Sequence, residues 1–168
     1  MSKQTHHGAL RLPSWCFRLF INLYRPYRGA GIRMVQLSPD SRLAVMSLRP
    51  RFSNRNAFGT HFGGSLYSMC DPIFVLMLAR ILGPDYILWD KGASIKFCKP
   101  GRGVVTASFE LPSDLTDDLQ RRADAGEVLN PEFVVNVMDN EGDVVAEIHK
   151  TLYLRKRGDK TSPRSRKG

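Results

Sequence analysis

Cysteine is scarce: the 168-residue chain holds three, Cys16, Cys70 and Cys98. An odd number with no C-x-x-C pair indicates neither a disulfide framework nor a Cys-based zinc site, and reads as the reduced thiols of a cytoplasmic protein. The four histidines, His6, His7, His61 and His149, show no ligand spacing beyond one adjacent pair, so neither a metal nor a cofactor is expected. No charge-free apolar run reaches the roughly 18 residues of a membrane-spanning helix. No internal repeat, zinc-finger spacing or RNA-binding aromatic signature occurs either. What is present, 42% hydrophobic residues over this length, suits one folded domain rather than a disordered chain.

The net charge of +9 is unevenly placed. Residues 1–51 carry nine Lys/Arg against one Asp, residues 52–154 carry nine against fourteen Asp/Glu, and residues 155–168 carry seven against one. The middle is therefore acidic, and specific nucleic-acid binding is not expected. Residues 1–12 read as a flexible start, 13–154 as a single domain, and 155–168, rich in Arg, Lys, Gly and Ser, as a basic disordered tail, either solvated or touching an acidic partner.

From Pro13 to Arg28 the pattern predicts a helix. Trp15, Leu19 and Leu23 recur at i, i+4 and i+8 with Phe20 and Tyr24 beside them, and Arg18 and Asn22 interrupt what would otherwise resemble a signal peptide. This helix packs on the domain surface or, given its arginines and aromatics, lies on a membrane. Arg33–Ser38 and Arg42–Leu48 flank a Pro39-Asp40-Ser41 turn and predict a hairpin. After a loop over 50–64, residues 63–82 predict one long central helix, apolar on nearly every side and ended by Gly83-Pro84. Leu88–Cys98 and Gly103–Glu110 flank the Lys99–Gly103 turn and suggest an antiparallel pair. A polar helix over 115–125 follows, then a second hairpin from Glu132–Met138 and Val144–Leu154. One greasy helix followed by antiparallel strands implies an α+β fold, a sheet wrapped around a central helix, with an extra helix at the N-terminus and an apolar face suited to homodimerisation.

Two features carry chemistry. Asp71 stands among Met69, Cys70, Ile73 and Phe74, where a carboxylate is either neutral, paired, or facing a cavity where it works. The following Pro72 offers another reading, a helix kink whose free backbone groups Asp71 satisfies. At the helix entrance, Gly63-Gly64 permits a close approach to backbone N–H groups that carry partial positive charge, a geometry suited to an oxyanion. Eight residues of helix separate Gly63 from Asp71 by roughly 12 Å. That gap suggests a site shared across a dimer interface, donors from one chain and carboxylate from the other.

The run Asn56-x-x-Gly-Thr-x-Phe-Gly-Gly-Ser-Leu-Tyr-Ser-Met-Cys-Asp71 resembles the signature of hotdog-fold acyl-CoA thioesterases of the phenylacetate-pathway type. The similarity extends over about residues 30–154 and is closer still to a hotdog branch known as a domain of unknown function. It implies a hotdog fold and thioester hydrolysis, with Asp71 as nucleophile or general base, Gly63 and Gly64 N–H groups as oxyanion hole, and Asn56 orienting thioester or water. It further implies an acyl-CoA-type ligand met by His61, Phe62, Ser65, Tyr67, Ser68 and Phe74, with Lys99, Arg102 and Arg155 near its phosphates, in a homodimer or dimer of dimers. Phe62 stands where the family usually has His. A non-catalytic hotdog that binds acyl-CoA or another apolar ligand, and a hotdog dehydratase or hydratase, are the alternatives.

Overall fold

Two apolar patterns, a strand period of two and one long greasy helix, meet in a single core. The computed structural model describes residues 8–158; the ends, 1–7 and 159–168, with most of the expected basic tail, lie outside the described residues. Among the described residues six strands occur, β1 (Ile32–Leu37), β2 (Leu43–Leu48), β3 (Tyr86–Phe97), β4 (Val105–Glu110), β5 (Glu132–Met138) and β6 (Val144–Lys156). They form one antiparallel sheet in the order β1-β2-β4-β5-β6-β3. This is the hotdog arrangement, a sheet curled around the helix that runs from Gly63 to Leu82.

That helix is long and apolar enough to cross a membrane, but half of it is buried inside the domain, as a core helix should be. It is not one uninterrupted element. It divides into α3 (Gly63–Cys70) and α4 (Ile73–Leu82), separated at Asp71-Pro72. Proline has no N–H for the preceding turn, so the ladder closes with the Asp71 N–H on the Tyr67 carbonyl and restarts with Leu76 N–H on the Pro72 carbonyl. Ile73, Phe74, Met77, Leu78 and Leu82 of α4 are buried against the sheet, and Phe74 stacks on Phe133 at 4.5 Å between ring centroids. Each such side chain contributes about 1.5–3 kcal/mol of burial.

The first and last hairpins match expectation. The one expected from Leu88–Cys98 and Gly103–Glu110 does not exist: β3 pairs with β6 at the far edge and β4 sits between β2 and β5. The linker between β3 and β4 is not a tight turn. Cys98 N–H donates to the Val145 carbonyl and His61 N–H to the Gly101 carbonyl, so the segment is tied to the β5–β6 turn and to the helix entrance. The polar helix, α5 (Ser113–Asp124), packs against β6 and α4. β6 runs on through Arg155 and Lys156, two residues into the segment expected to be tail, because its pairing with Ile87 and Tyr86 of β3 continues that far.

At the N-terminus the expected single helix over 13–28 is two, α1 (Ser14–Leu23) and α2 (Arg25–Ala30), hinged at Tyr24 ahead of Pro26. The inward face also differs from expectation. Phe17 and Ile21 are buried, whereas Trp15, Leu19 and Leu23 point away from the domain. Residues 9–11, expected to be flexible, form a 3-10 turn held by Arg80 of α4. Its guanidinium donates to the Leu10 and Leu12 carbonyls at 2.8 and 2.9 Å and lies 4.6 Å from the Phe17 ring centroid. Gly31 ends α2 with φ +77°, and a Cβ there would lie 2.6 Å from the Asn54 side chain, so only glycine fits. Buried Asn54 in turn donates to the Ala30 and Arg49 carbonyls, fixing the loop that leads into α3.

Arg80→Met keeps length and apolar contact but removes every donor. It is expected to lower unfolding stability by about 1–3 kcal/mol, read from the urea midpoint, and to speed amide exchange in residues 9–17. An unchanged midpoint would show that the anchor contributes nothing.

Candidate functional site

The break in the central helix places Asp71 over the inner face of the sheet, where a second ion waits. Along β6 the side chains alternate, and Lys150 is in phase with buried Ile148, Leu152 and Leu154. Its side chain has no exposed surface, whereas Asp71 remains 43% exposed. Lys150 Nζ donates to Asp71 Oδ1 at 2.8 Å, and the Tyr67 hydroxyl donates to the same oxygen at 2.6 Å. On its other side the ammonium makes an ion-pair contact of 2.7 Å with Asp90 Oδ1, outside hydrogen-bond geometry. Asp90 adjoins the irregularity in β3 pairing between Asp90 and Gly92, a bulge of the kind that re-aims side chains near sites.

One ammonium between two carboxylates makes the two acids unequal. Burial alone would raise the Asp71 carboxyl, but the hydrogen bonds from Lys150 and Tyr67 and the ammonium charge outweigh it, so Asp71 sits below the usual carboxylate range. Asp90 is raised, chiefly by burial, with the Asp71 charge adding to it and Lys150 opposing. Burial pulls the Lys150 ammonium down, yet its two carboxylate partners bring it above the ordinary lysine value. Asp71 is thus a firmly ionised carboxylate and Lys150 a firm cation, with the other face of Asp71 open.

What it opens onto is a groove of about 450 Å³ between the α1–α2 hinge and the helix break, lined by Phe20, Ile21, Tyr24, Pro26, Tyr27, Ala30, Ser68, Asp71, Pro72 and Leu76. The Tyr27 hydroxyl is buried there with no hydrogen-bond partner among the described residues. Its pKa is raised by burial first and then by the Asp71 charge, so it stays a neutral donor. A second groove, about 440 Å³, lies at the helix entrance beside Asn56, His61, Gly63, Leu66, Phe97 and Lys99. Neither Gly63 nor Gly64 could carry a Cβ without moving a ring, because that atom would fall 2.9 Å from Phe97 and 2.4 Å from Phe62 respectively. A larger hollow of about 600 Å³ beside Arg80 contains Asp40 at its rim, with no buried ion pair like that at Asp71.

The sequence-expected residues fall into three groups. Asp71 and Ser68 line the first groove, with Tyr67 hydrogen-bonded to Asp71 but outside the lining, and Gly63, Asn56, His61 and Lys99 line the second. Several are already engaged. Asn56 Nδ2 donates to Thr60 Oγ1 while Asn56 Oδ1 accepts from Phe58 and Thr60 N–H; His61 Nε2 lies 2.7 Å from the Gly103 carbonyl; and Lys99 contacts Asp139 and Asp143 at 2.6 Å each. Ser65, like Phe74, is buried, Phe62 is exposed at the mouth of α3, Arg102 is exposed, Arg155 is partly buried near the end of β6, and neither arginine lines the groove at Asp71. Lys150, Asp90 and Tyr27 are the residues that sequence reasoning missed. Only Lys150 left a readable signal, a charge on the apolar phase of a strand.

A family model described as domain of unknown function DUF4442 matches residues 14–154. No curated protein matches. Among solved structures, a protein of unknown function from Pseudomonas aeruginosa, described as a probable thioesterase, superposes with a TM-score of 0.77 at 19% identity, covering 89% of this chain and 99% of that one. The E. coli PaaI protein from the phenylacetic acid degradation operon gives 0.57 at 14% identity, covering 83% and 89%. A hypothetical thioesterase with coenzyme A from Streptococcus pneumoniae gives 0.53 at 18% identity, covering 74% and 86%. The family match spans the whole folded domain, so the chain belongs to the DUF4442 family, a domain of unknown function, and the structural matches show that it shares the hotdog fold.

Proposed function

We propose that this protein hydrolyses an acyl-CoA or related thioester, with Asp71 as the working carboxylate. The observation that carries the reading is an ionised, half-exposed aspartate, fixed by Lys150 and Tyr67, at the foot of an apolar groove large enough for an acyl group. Asp71 takes a proton from water as the water oxygen bonds to the thioester carbon. The carbonyl oxygen becomes an oxyanion held by backbone N–H groups of Gly63 and Gly64. Collapse expels the thiolate, which accepts the proton from Asp71; a thiolate with pKa about 8.5 is the stronger base, so this return is downhill.

Donors and carboxylate come from different copies in this scheme. β3 is an edge strand of 12 residues whose centre, Lys91–Ser94, is exposed, and pairing of two such edges would continue the sheet as a homodimer. Exposed Phe62 and Phe97 flank the helix entrance beside that edge and supply apolar area for the joint. Arg102, which has no acidic partner among the described residues, is the better candidate for a CoA phosphate, since Lys99 is already neutralised by two carboxylates.

A non-catalytic acyl-CoA binder is the second reading, favoured by Phe62 at the position of the family histidine and by the internal engagement of Asn56 and His61. Thiol release from short, long and aromatic acyl-CoAs separates the two. Asp71→Asn, which keeps an oxygen for Lys150 and Tyr67, is expected to lower turnover at least about 100-fold without loss of folding. Binding without turnover by the wild type would establish the second reading.

The pH profile follows from the sign of the Asp71 shift. Its acid limb is expected below the ordinary aspartate value, with activity level from about pH 5 upward. Lys150→Met removes the principal opposition to burial, so the limb moves to higher pH, and leaving two acids unpaired lowers stability by about 3 kcal/mol. Acid itself should unfold the cluster only weakly. Asp71, lowered on folding, loses stabilisation as pH falls through its native pKa, while raised Asp90 regains some over the range above its unfolded value.

A further inference from the structure

Set on a helical wheel at 100° per residue, α1 shows three arcs rather than two. Phe17 and Ile21 face the domain and are buried. Arg18 and Asn22 face β1, where Arg18 Nη1 donates to the Val35 carbonyl and Asn22 bonds Met34 through both its carbonyl oxygen and its amide. The remaining arc carries Trp15, Leu19, Phe20 and Leu23, continued by Tyr24 at the hinge, and every one of these is more than half exposed. A surface helix needs one apolar stripe to hold its place, and Phe17 with Ile21 already serves. In the second stripe Phe20 and Tyr24 touch the buried Phe17 and Tyr27 rings by one edge, and Trp15, Leu19 and Leu23 are left exposed.

Its surroundings are mainly basic. Arg11, Arg25, Arg28 and Arg33 are exposed around it, and between Met1 and Cys70 the chain contains a single acidic residue, Asp40. A second copy seated on this face would bring mainly arginines against arginines, with Asp40 and Asp71 the acids beside it. The edge at which copies can pair, β3, also lies at the opposite side of the sheet from β1, on which α1 packs. A cationic rim around Trp, Tyr, Leu and Phe complements a negatively charged headgroup layer above hydrocarbon, with the indole and phenol at the level where such groups sit.

We propose that the outer arc of α1, with its flanking arginines, docks the protein on an anionic lipid bilayer. Phe20 and Tyr24 belong both to this arc and to the rim of the groove that ends at Asp71. On the thioesterase reading, docking therefore opens the site toward the bilayer, and the substrate class is a long-chain acyl thioester that partitions into membranes.

The test is co-sedimentation of the full chain with vesicles of phosphatidylcholine alone and of equal parts phosphatidylcholine and phosphatidylglycerol. Binding is expected only to the anionic vesicles and to weaken with salt. Leu19→Ser/Leu23→Ser keeps every charge, including those of the C-terminal segment, and is expected to reduce binding roughly ten-fold or more at an unchanged melting temperature. Absence of binding, or equal binding by wild type and variant, overturns the proposal. So does sedimentation showing that the variant has lost a copy, which would assign the arc to self-association. Because vesicle binding is read without turnover, it stands or falls separately from the thioesterase assignment.

Discussion

A lysine with no exposed surface, held between two aspartates, sets the interior of this domain. Lys150 comes from β6, Asp90 from β3 and Asp71 from the break in the central helix, so one ammonium joins the edge strand, its neighbour and the helix they enclose. Burying that charge without partners would cost several kcal/mol, and with them the cluster is a constraint on register more than a source of stability. If β6 slid by one residue, Lys150 would turn to the outer face and leave both acids alone in the interior.

The same constraint explains why the helix is interrupted where it is. A continuous helix would satisfy its backbone, but Pro72 stops the ladder and leaves Asp71 at a turn, with one oxygen held from below and the rest of the carboxylate facing the groove. The cation fixes the ionisation of Asp71, and the hinge between α1 and α2 supplies the apolar wall opposite. Carboxylate and groove therefore belong to one arrangement, to which the N-terminal helices contribute as much as the central helix.

Much of the fold was legible because local pattern carries it. The strand spans at both hairpins, the apolar run from 63 to 82 and the polar helix near 115–125 follow from period and punctuation. Asp71 itself was conspicuous as an acid in an apolar run, and the Gly63-Gly64 entrance as a place of close approach. The α1 stripe was read as apolar, facing either the domain surface or a membrane, and in the structure it does not face the core. Periodicity locates a stripe but does not say which of two neighbouring stripes faces the core, and here Asn22 and Arg18 made that choice by reaching the β1 backbone. The adjacency of β3 and β4 in sequence likewise suggested a hairpin, whereas β5 and β6 intervene in the sheet.

By itself, then, the sequence determined the α+β class, the positions of most elements and the place of a single acid within the central apolar run, since each depends on residues a few positions apart. Only the tertiary structure decided what neutralises that acid, because Lys150 is 79 residues from Asp71 and reaches it solely through the pairing of β6 into the sheet. It also decided that α1 shows its aromatics to the outside and that its hinge closes the groove. These are outcomes of competition among non-local contacts, to which no short window of sequence has access.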